Sequence, residues 1–446
     1  MVYYKCVTDC SVNPFCLPLT KRLQRKAGPR CLFAGASPNK YFPKIYYIIL
    51  SVFLITTSSH LNAQNDLVQI RPFGTNPGNL KLMFYDPQNI TEKAPLVVVL
   101  HGCTQMTKAC AEQTGWNKLA KLHQFYVLYP EQLVLNNMEN CFNWYRSADQ
   151  SKDKGEPASI MQMITHLKKN KNIDSTRIYI IGLSAGGAMS SIMMAVFPEV
   201  FDKGGVMAGG PYKAAESVIK AGPSMLGMVS KSPEDWGNLV REQNPNYKGT
   251  YPELVVFHGG IDPVVSINNA NQLIKQWVNI HQTDYEEDEH FEKFRNNEDI
   301  ELTIYKNKQQ QEVVRYYKIR GIGHTLPIDT GYCTTQGGKT GIFAINKGFH
   351  STFWAAQFFG IIKNPYQISG ETVVSAKSKN LTYSVPLHQG SKYTWNTPAG
   401  MWITSDIHSN TINMDVDYQS GYLEVTETDT NGCHLEPCKL WIEVKQ

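Results

Sequence analysis

Four short stretches are almost continuously apolar: residues 95–102 (PLVVVLHG), 125–129, 177–182 (RIYIIG) and 254–257. None shows the polar alternation of a half-exposed strand, so each predicts a strand buried on both faces. Residues 82–85 form a shorter strand that stops at Asp86-Pro87. Between these runs the period changes. Ile160, Met163, Ile164 and Leu167 share one side of a helix over 158–169. Further helices are predicted over 116–122, 185–197 and 268–280. Strands alternating with helices predict a mostly parallel sheet covered on both faces. Residues 284–299 carry eight acids against two Lys/Arg and read as a solvated insertion between strands.

Past Pro365 the period becomes two. Ile412, Met414 and Val416 alternate with polar residues, as do Leu440, Ile442 and Val444, and Gly and Pro turns separate the runs. Residues 366–446 are therefore expected to be a small all-β sandwich.

The N-terminal end has its own pattern. An apolar run over 45–56 follows Lys40 and Lys44, and a polar stretch ends at Leu61-Asn62-Ala63. This is the order of a secretory signal, with cleavage expected after Ala63. The run falls short of the roughly 20 residues a membrane span needs, so no stable span is expected after cleavage. Forty residues ahead of the run are unusual for a signal, so residues 1–38 are expected to precede the true start. The expected organisation is a leader over 1–63, a catalytic domain over 64–363 and the β domain over 366–446.

Charge follows the same division. Residues 1–44 hold eight Lys/Arg and Asp9, contributing +7 to a total of +4, which leaves −3 for residues 64–446. No case for nucleic-acid binding remains. Four of the ten Cys lie in the leader: Cys6, Cys10, Cys16 and Cys31. The six others are Cys103, Cys110, Cys141, Cys333, Cys433 and Cys438. An even count in an exported chain suggests disulfides, with fifteen possible pairings. No Cys-x-x-Cys pair has His partners, so no metal site is expected.

The strongest chemical motif is Gly182-Leu183-Ser184-Ala185-Gly186, between a buried strand and a helix. Small residues there allow a sharp turn that projects Ser184 from the sheet edge as a nucleophile. A serine hydroxyl needs an imidazole base, and the imidazole needs an orienting carboxylate. Asp262, after the strand at 254–257, and His324, in Gly321-Ile322-Gly323-His324, supply them in the order Ser, acid, His. Asp329 follows His324 and fits that order poorly. The oxyanion needs two backbone N–H donors, expected from Ala185 and from Cys103 in the His101-Gly102-Cys103 loop. His101 is expected to order its loop, and His258 to be structural. In Cys141-Phe142-Asn143-Trp144-Tyr145, Trp144 and Asn143 are candidates for a substrate wall, and packed core aromatics are the alternative.

Taken together, His101-Gly102-Cys103-Thr104-Gln105, Tyr129-Pro130-Glu131-Gln132, Cys141-Phe142-Asn143-Trp144 and Gly182-Leu183-Ser184-Ala185-Gly186-Gly187 resemble the poly(3-hydroxybutyrate) depolymerase family of esterases, which also includes feruloyl and acetylxylan esterases. The resemblance spans about residues 66–363. It implies an α/β-hydrolase fold, a Ser184–Asp262–His324 triad, an ester substrate and no cofactor. It also implies a Cys103–Cys141 disulfide. Of the three pairings open to the other four cysteines, the one taken as the expectation joins Cys110 to Cys333 and lets Cys433 and Cys438 close a small loop. His324-Thr325-Leu326-Pro327-Ile328-Asp329 lacks the Trp that many esterases of the family carry after the His, which favours the polyester branch.

Tyr393-Thr394-Trp395-Asn396 and Asn431-Gly432-Cys433 resemble the PKD-like, immunoglobulin-like modules of secreted Bacteroidetes-type proteins. Trp395, Trp402 and Tyr422 are candidates for a polymer-binding platform, with Trp395 better suited to the sandwich core. The expected function is a secreted serine esterase acting on short-chain polyester. The alternatives are a feruloyl or acetylxylan esterase, or a non-catalytic binding protein on the same scaffold. The sequence gives no indication of oligomeric state.

Overall fold

The computed structural model describes residues 67–362, 366–435 and 437–445. The expected leader over 1–63, with its expected signal and its four cysteines, lies outside the described residues.

A ten-stranded sheet forms the centre of the larger domain. Its strands, in chain order, are β1 (Val68–Ile70), β2 (Lys81–Tyr85), β3 (Ala94–Leu100), β4 (Tyr126–Glu131), β5 (Ile173–Leu183), β6 (Lys203–Met207), β7 (Glu253–Gly259), β8 (Glu289–Phe291), β9 (Ile300–Lys306) and β10 (Glu312–Ile319). Across the sheet the order is β1-β2-β4-β3-β5-β6-β7-β10-β9-β8. The six strands from β4 to β10 in that order run parallel. The flanking strands at either edge are antiparallel.

Burial on both faces explains the apolar runs. Leu96, Val98 and Leu100 of β3 enter one core, and Val97 and Val99 enter the other. Ile178 and Ile180 of β5 divide from Tyr179 and Ile181 in the same way, as the period of two requires. The helices are α1 (Thr107–Thr114), α2 (Trp116–His123), α3 (Gly155–Asn170), α4 (Ala185–Val196), α5 (Val218–Met225), α6 (Pro233–Arg241), α7 (Asn268–Ile280) and α8 (Ser351–Phe358). Met163 of α3, Met189 of α4 and Trp277 of α7 fill the first core. Trp116 of α2 and Phe353 of α8 fill the second.

Several elements depart from the sequence reading. The acidic stretch 284–299 is mostly exposed, but it contributes β8 to the sheet edge, paired with β9. The β9–β10 hairpin was not anticipated, nor was β6, whose sequence is KGGVM. The glycines of β6 serve close packing: a Cβ on Gly204 would lie 2.1 Å from the Met194 sulfur of α4.

The smaller domain contains two sheets. After the short pair β11 (Leu326–Ile328) and β12 (Ala344–Asn346) come β13 (Val373–Ser375), β14 (Leu381–Ser384), β15 (Lys392–Asn396), β16 (Met401–Ile403), β17 (Thr411–Val416), β18 (Gly421–Thr428) and β19 (Cys438–Lys445). Their orders are β13-β19-β18-β15 and β14-β17-β16. Tyr383, Trp395, Met414, Val425 and Ile442 pack between the sheets.

Among the described residues two disulfides are present, Cys103–Cys141 and Cys333–Cys433. The expected pairings of Cys110 with Cys333 and of Cys433 with Cys438 are therefore corrected. Cys110 lies inside α1 against the sheet, where burial pushes its thiol up to about 12. Cys438 opens β19 opposite Val425, and its thiol donates to the Tyr366 carbonyl at 3.4 Å in the sandwich interior. Cys433 sits in the β18–β19 turn, facing the loop that carries Cys333. The second bridge therefore joins the two domains. Beside it the Tyr332 hydroxyl donates to the Asn431 carbonyl at 3.0 Å.

Candidate active site

The loops that follow β3, β5, β7 and β10 meet at the carboxyl edge of the parallel strands, where open α/β sheets place their ligands. Ser184 sits between β5 and α4 at φ 59° and ψ −119°, a left-handed backbone held by its N–H donating to the Met207 carbonyl at 2.8 Å. The flanking glycines make this turn possible. A Cβ on Gly182 would come within 2.3 Å of the Gly186 carbonyl carbon, and one on Gly186 within 2.4 Å of the Leu100 oxygen.

His324 bridges the serine and a carboxylate. Its Nε2 is 2.8 Å from Ser184 Oγ and its Nδ1 is 2.7 Å from Asp262 Oδ2. The carboxylate can only accept, so Nδ1 carries the proton and Nε2 is left to accept from the serine hydroxyl. Asp262 Oδ1 accepts the Val264 and Val265 N–H groups, both at 2.9 Å. Burial pushes the Asp262 pKa up, but the His324 hydrogen bond and these N–H donors outweigh it and hold the carboxyl below its ordinary range.

His258 lies behind this acid, buried, donating from Nε2 to the Val265 carbonyl at 2.8 Å. Burial holds its pKa down, so it is a neutral brace for the Asp262 loop. His101 braces the other side. Its Nε2 accepts the Gln132 N–H at 3.0 Å, which leaves Nδ1–H to donate to the Gly102 carbonyl at 2.8 Å. Burial also lowers the His101 pKa. Asp329 accepts from Gln336 instead of joining the triad.

Ala185 is the first residue of α4, so its N–H has no acceptor within the helix. Cys103 follows the His101–Gly102 turn, is tied to Cys141, and lines the same cleft as Ser184, Ala185 and His324. That cleft has a volume of about 710 Å³. Trp144, Met138, Pro211, Met225, Val264 and Phe343 give it mainly apolar walls.

Trp144 faces the cleft, but Asn143 does not, which corrects its expected contact with substrate. Asn143 is 3% exposed and is spent on Glu156, donating from its side chain at 2.6 Å and from its backbone at 2.8 Å. The sequence reading missed Glu156. It is 1% exposed in the first turn of α3 and also accepts Gln132 Nε2 at 2.5 Å. Burial, with Asp149 beside it, pushes its carboxyl up to about 8 against the pull of these donors. No motif marks it, because its partners are distant in sequence.

The three aromatic candidates of the β domain do not form one platform. Trp395 is in the core and donates to the Ser409 carbonyl at 2.8 Å. Trp402 and Tyr422 are exposed on different sheets of the sandwich. Tyr422 is instead paired with Trp441, ring centroids 4.9 Å apart.

Comparison with known proteins matches residues 80–284 to the family "Esterase PHB depolymerase" and residues 361–439 to the PKD-like domain. Poly(3-hydroxyalkanoate) depolymerase C of Paucimonas lemoignei is 38% identical over 318 residues, 70% of this chain and 73% of that protein. Feruloyl esterase B of Neurospora crassa is 30% identical over 220 residues, 48% of this chain and 74% of that protein. Among solved structures, an acetyl xylan esterase from Aspergillus awamori matches with a TM-score of 0.57 at 23% identity, covering 67% of this chain and 100% of that one, a likeness of fold.

Proposed function

The chain belongs to the PHB depolymerase esterase family of carboxylic-ester hydrolases and carries a C-terminal PKD-like domain, and from that premise we propose that it is a secreted serine esterase cleaving polyesters of the poly(3-hydroxybutyrate) type. The observation that carries the reading is the single imidazole within hydrogen-bond reach of both Ser184 Oγ and Asp262.

Ser184 Oγ attacks the ester carbonyl carbon while its proton passes to His324 Nε2. Asp262 holds the ring in the required tautomer and stabilises the imidazolium. The carbonyl oxygen, now an oxyanion, takes the N–H groups of Cys103 and Ala185. As the intermediate collapses, the C–O bond to the alcohol breaks and His324 returns the proton to that alcohol. A water molecule then loses a proton to His324 and attacks the acyl-serine, and the acid departs as Ser184 regains its hydrogen. Trp144 forms part of the acyl wall.

Two observations support a polyester substrate. The similarity to the polyhydroxyalkanoate depolymerase extends over more of the chain than the similarity to the feruloyl esterase. The cleft walls are apolar, and Met138 at their edge is 89% exposed, which suits a chain without hydroxyl groups. Export is supported by the two disulfides and by the apolar run at 45–56.

Ser184→Ala is expected to lower kcat on a soluble p-nitrophenyl ester by about 10⁶-fold. Turnover retained in that variant would contradict the assignment of the nucleophile.

A further inference from the structure

Glu156 does not touch the cleft, yet two of the cleft's walls hang from its carboxylate. One arm runs through Gln132, whose side chain donates to Glu156 Oε1 and to the Cys141 carbonyl. The Gln132 side-chain oxygen in turn accepts the Leu133 N–H at 2.9 Å and Asn136 Nδ2 at 2.7 Å. Its backbone N–H fixes His101, and His101 fixes the Gly102 carbonyl one residue before Cys103. The other arm runs through Asn143, held by both its side chain and its N–H, directly before Trp144. Glu156 is itself anchored, because its N–H donates to Asp149 Oδ1 at 2.8 Å.

We infer that Glu156 is a positioning residue: its ionised carboxylate sets the Cys103 oxyanion loop through Gln132 and the Trp144 wall through Asn143. The inference rests on the triad reading above.

The geometry favours the ionised form. Both carboxylate oxygens accept, and all three groups facing them are donors. Three of the carboxylate's four acceptor sites are filled, and none of these groups offers an acceptor to a carboxyl proton. The charged group that faces Glu156 is Asp149, which disfavours ionisation, and exposed Arg146 offsets Asp149. Gln132 and Asn143 are neutral, and His101 behind Gln132 is held neutral by burial. The lock therefore forms as Glu156 loses its proton, near pH 8.

The test compares full-chain wild type, Glu156→Gln, Gln132→Leu and Asn143→Ala on a soluble p-nitrophenyl ester, with fluorophosphonate labelling of Ser184 in parallel. Glu156→Gln places an amide where donors converge. Its kcat is expected to fall about 10–10²-fold, the scale of a misplaced catalytic group. Its pH–kcat profile should also lack the rise near pH 8 expected of wild type. Gln132→Leu should lower kcat and leave KM nearly unchanged, and Asn143→Ala should raise KM and leave kcat nearly unchanged. Wild-type kcat and pH profile in Glu156→Gln would overturn the inference. If that variant does not fold, wild-type kinetics in both single-arm variants would overturn it. Failure of the wild type to label at Ser184 would mark a failure of the triad reading instead, and the inference would fall with it.

Discussion

A single hydrogen bond decides most at the residue scale. Asp262→Asn keeps the shape of the triad but donates where the carboxylate accepted, which turns the imidazole to the wrong tautomer. Its kcat is expected to fall about 10⁴-fold, read on the soluble ester. Asp262 and Glu156 also bend the stability curve in opposite directions. The depressed Asp262 pKa contributes stability above its unfolded value, and this is lost as pH falls through the lower folded value. Glu156 binds in the folded state a proton that the unfolded chain releases, so stability falls as pH rises from about 4.5 to about 8. Urea midpoints measured from pH 5 to pH 9 should therefore decline less in Glu156→Gln than in wild type. An equal decline would contradict the assigned cause. The approach of Ser184, Asp262 and His324 to within hydrogen-bond reach was legible in the sequence because each is marked by its own local context and by chain order. Asn143 and Glu156 were not. The direction of a side chain in an irregular loop follows from contacts 13 and 24 residues away, and no periodicity encodes these.

At the scale of elements, strands buried on both faces declared themselves, because an uninterrupted apolar run has few other uses. The strand β6 did not, since its two glycines are chosen for the approach of α4 and Ile181 of β5 and not for strand propensity. The Cys333–Cys433 bridge lies outside any local signal, with 100 residues between its ends. Closing a loop of that length should stabilise the chain by about 3–5 kcal/mol. Cys433→Ser is expected to unfold at correspondingly lower denaturant. Peptide mapping without reductant should recover Cys103–Cys141 and Cys333–Cys433, with Cys110 and Cys438 alkylated only after unfolding. A Cys433–Cys438 peptide would contradict the structure.

At the scale of the whole molecule, the bridge and the Tyr332–Asn431 hydrogen bond fasten the PKD-like domain to the loop that follows His324. The module is thus fixed to the esterase at a point nine residues past His324. Its surface carries the Tyr422–Trp441 pair, where the sequence offered Trp402 and Tyr422 and already favoured the core for Trp395. Two domains of different period were plain in the sequence, but their attachment was not.

The most direct test of the account is hydrolysis by the purified protein and its Ser184→Ala variant. Both would be assayed side by side on a poly(3-hydroxybutyrate) suspension, methyl ferulate and acetylated xylan. The account predicts that wild type clears the suspension and releases hydroxybutyrate while Ser184→Ala does neither. Release of ferulate or acetate with the suspension untouched would contradict the polyester reading and make the protein a cell-wall esterase with the same triad.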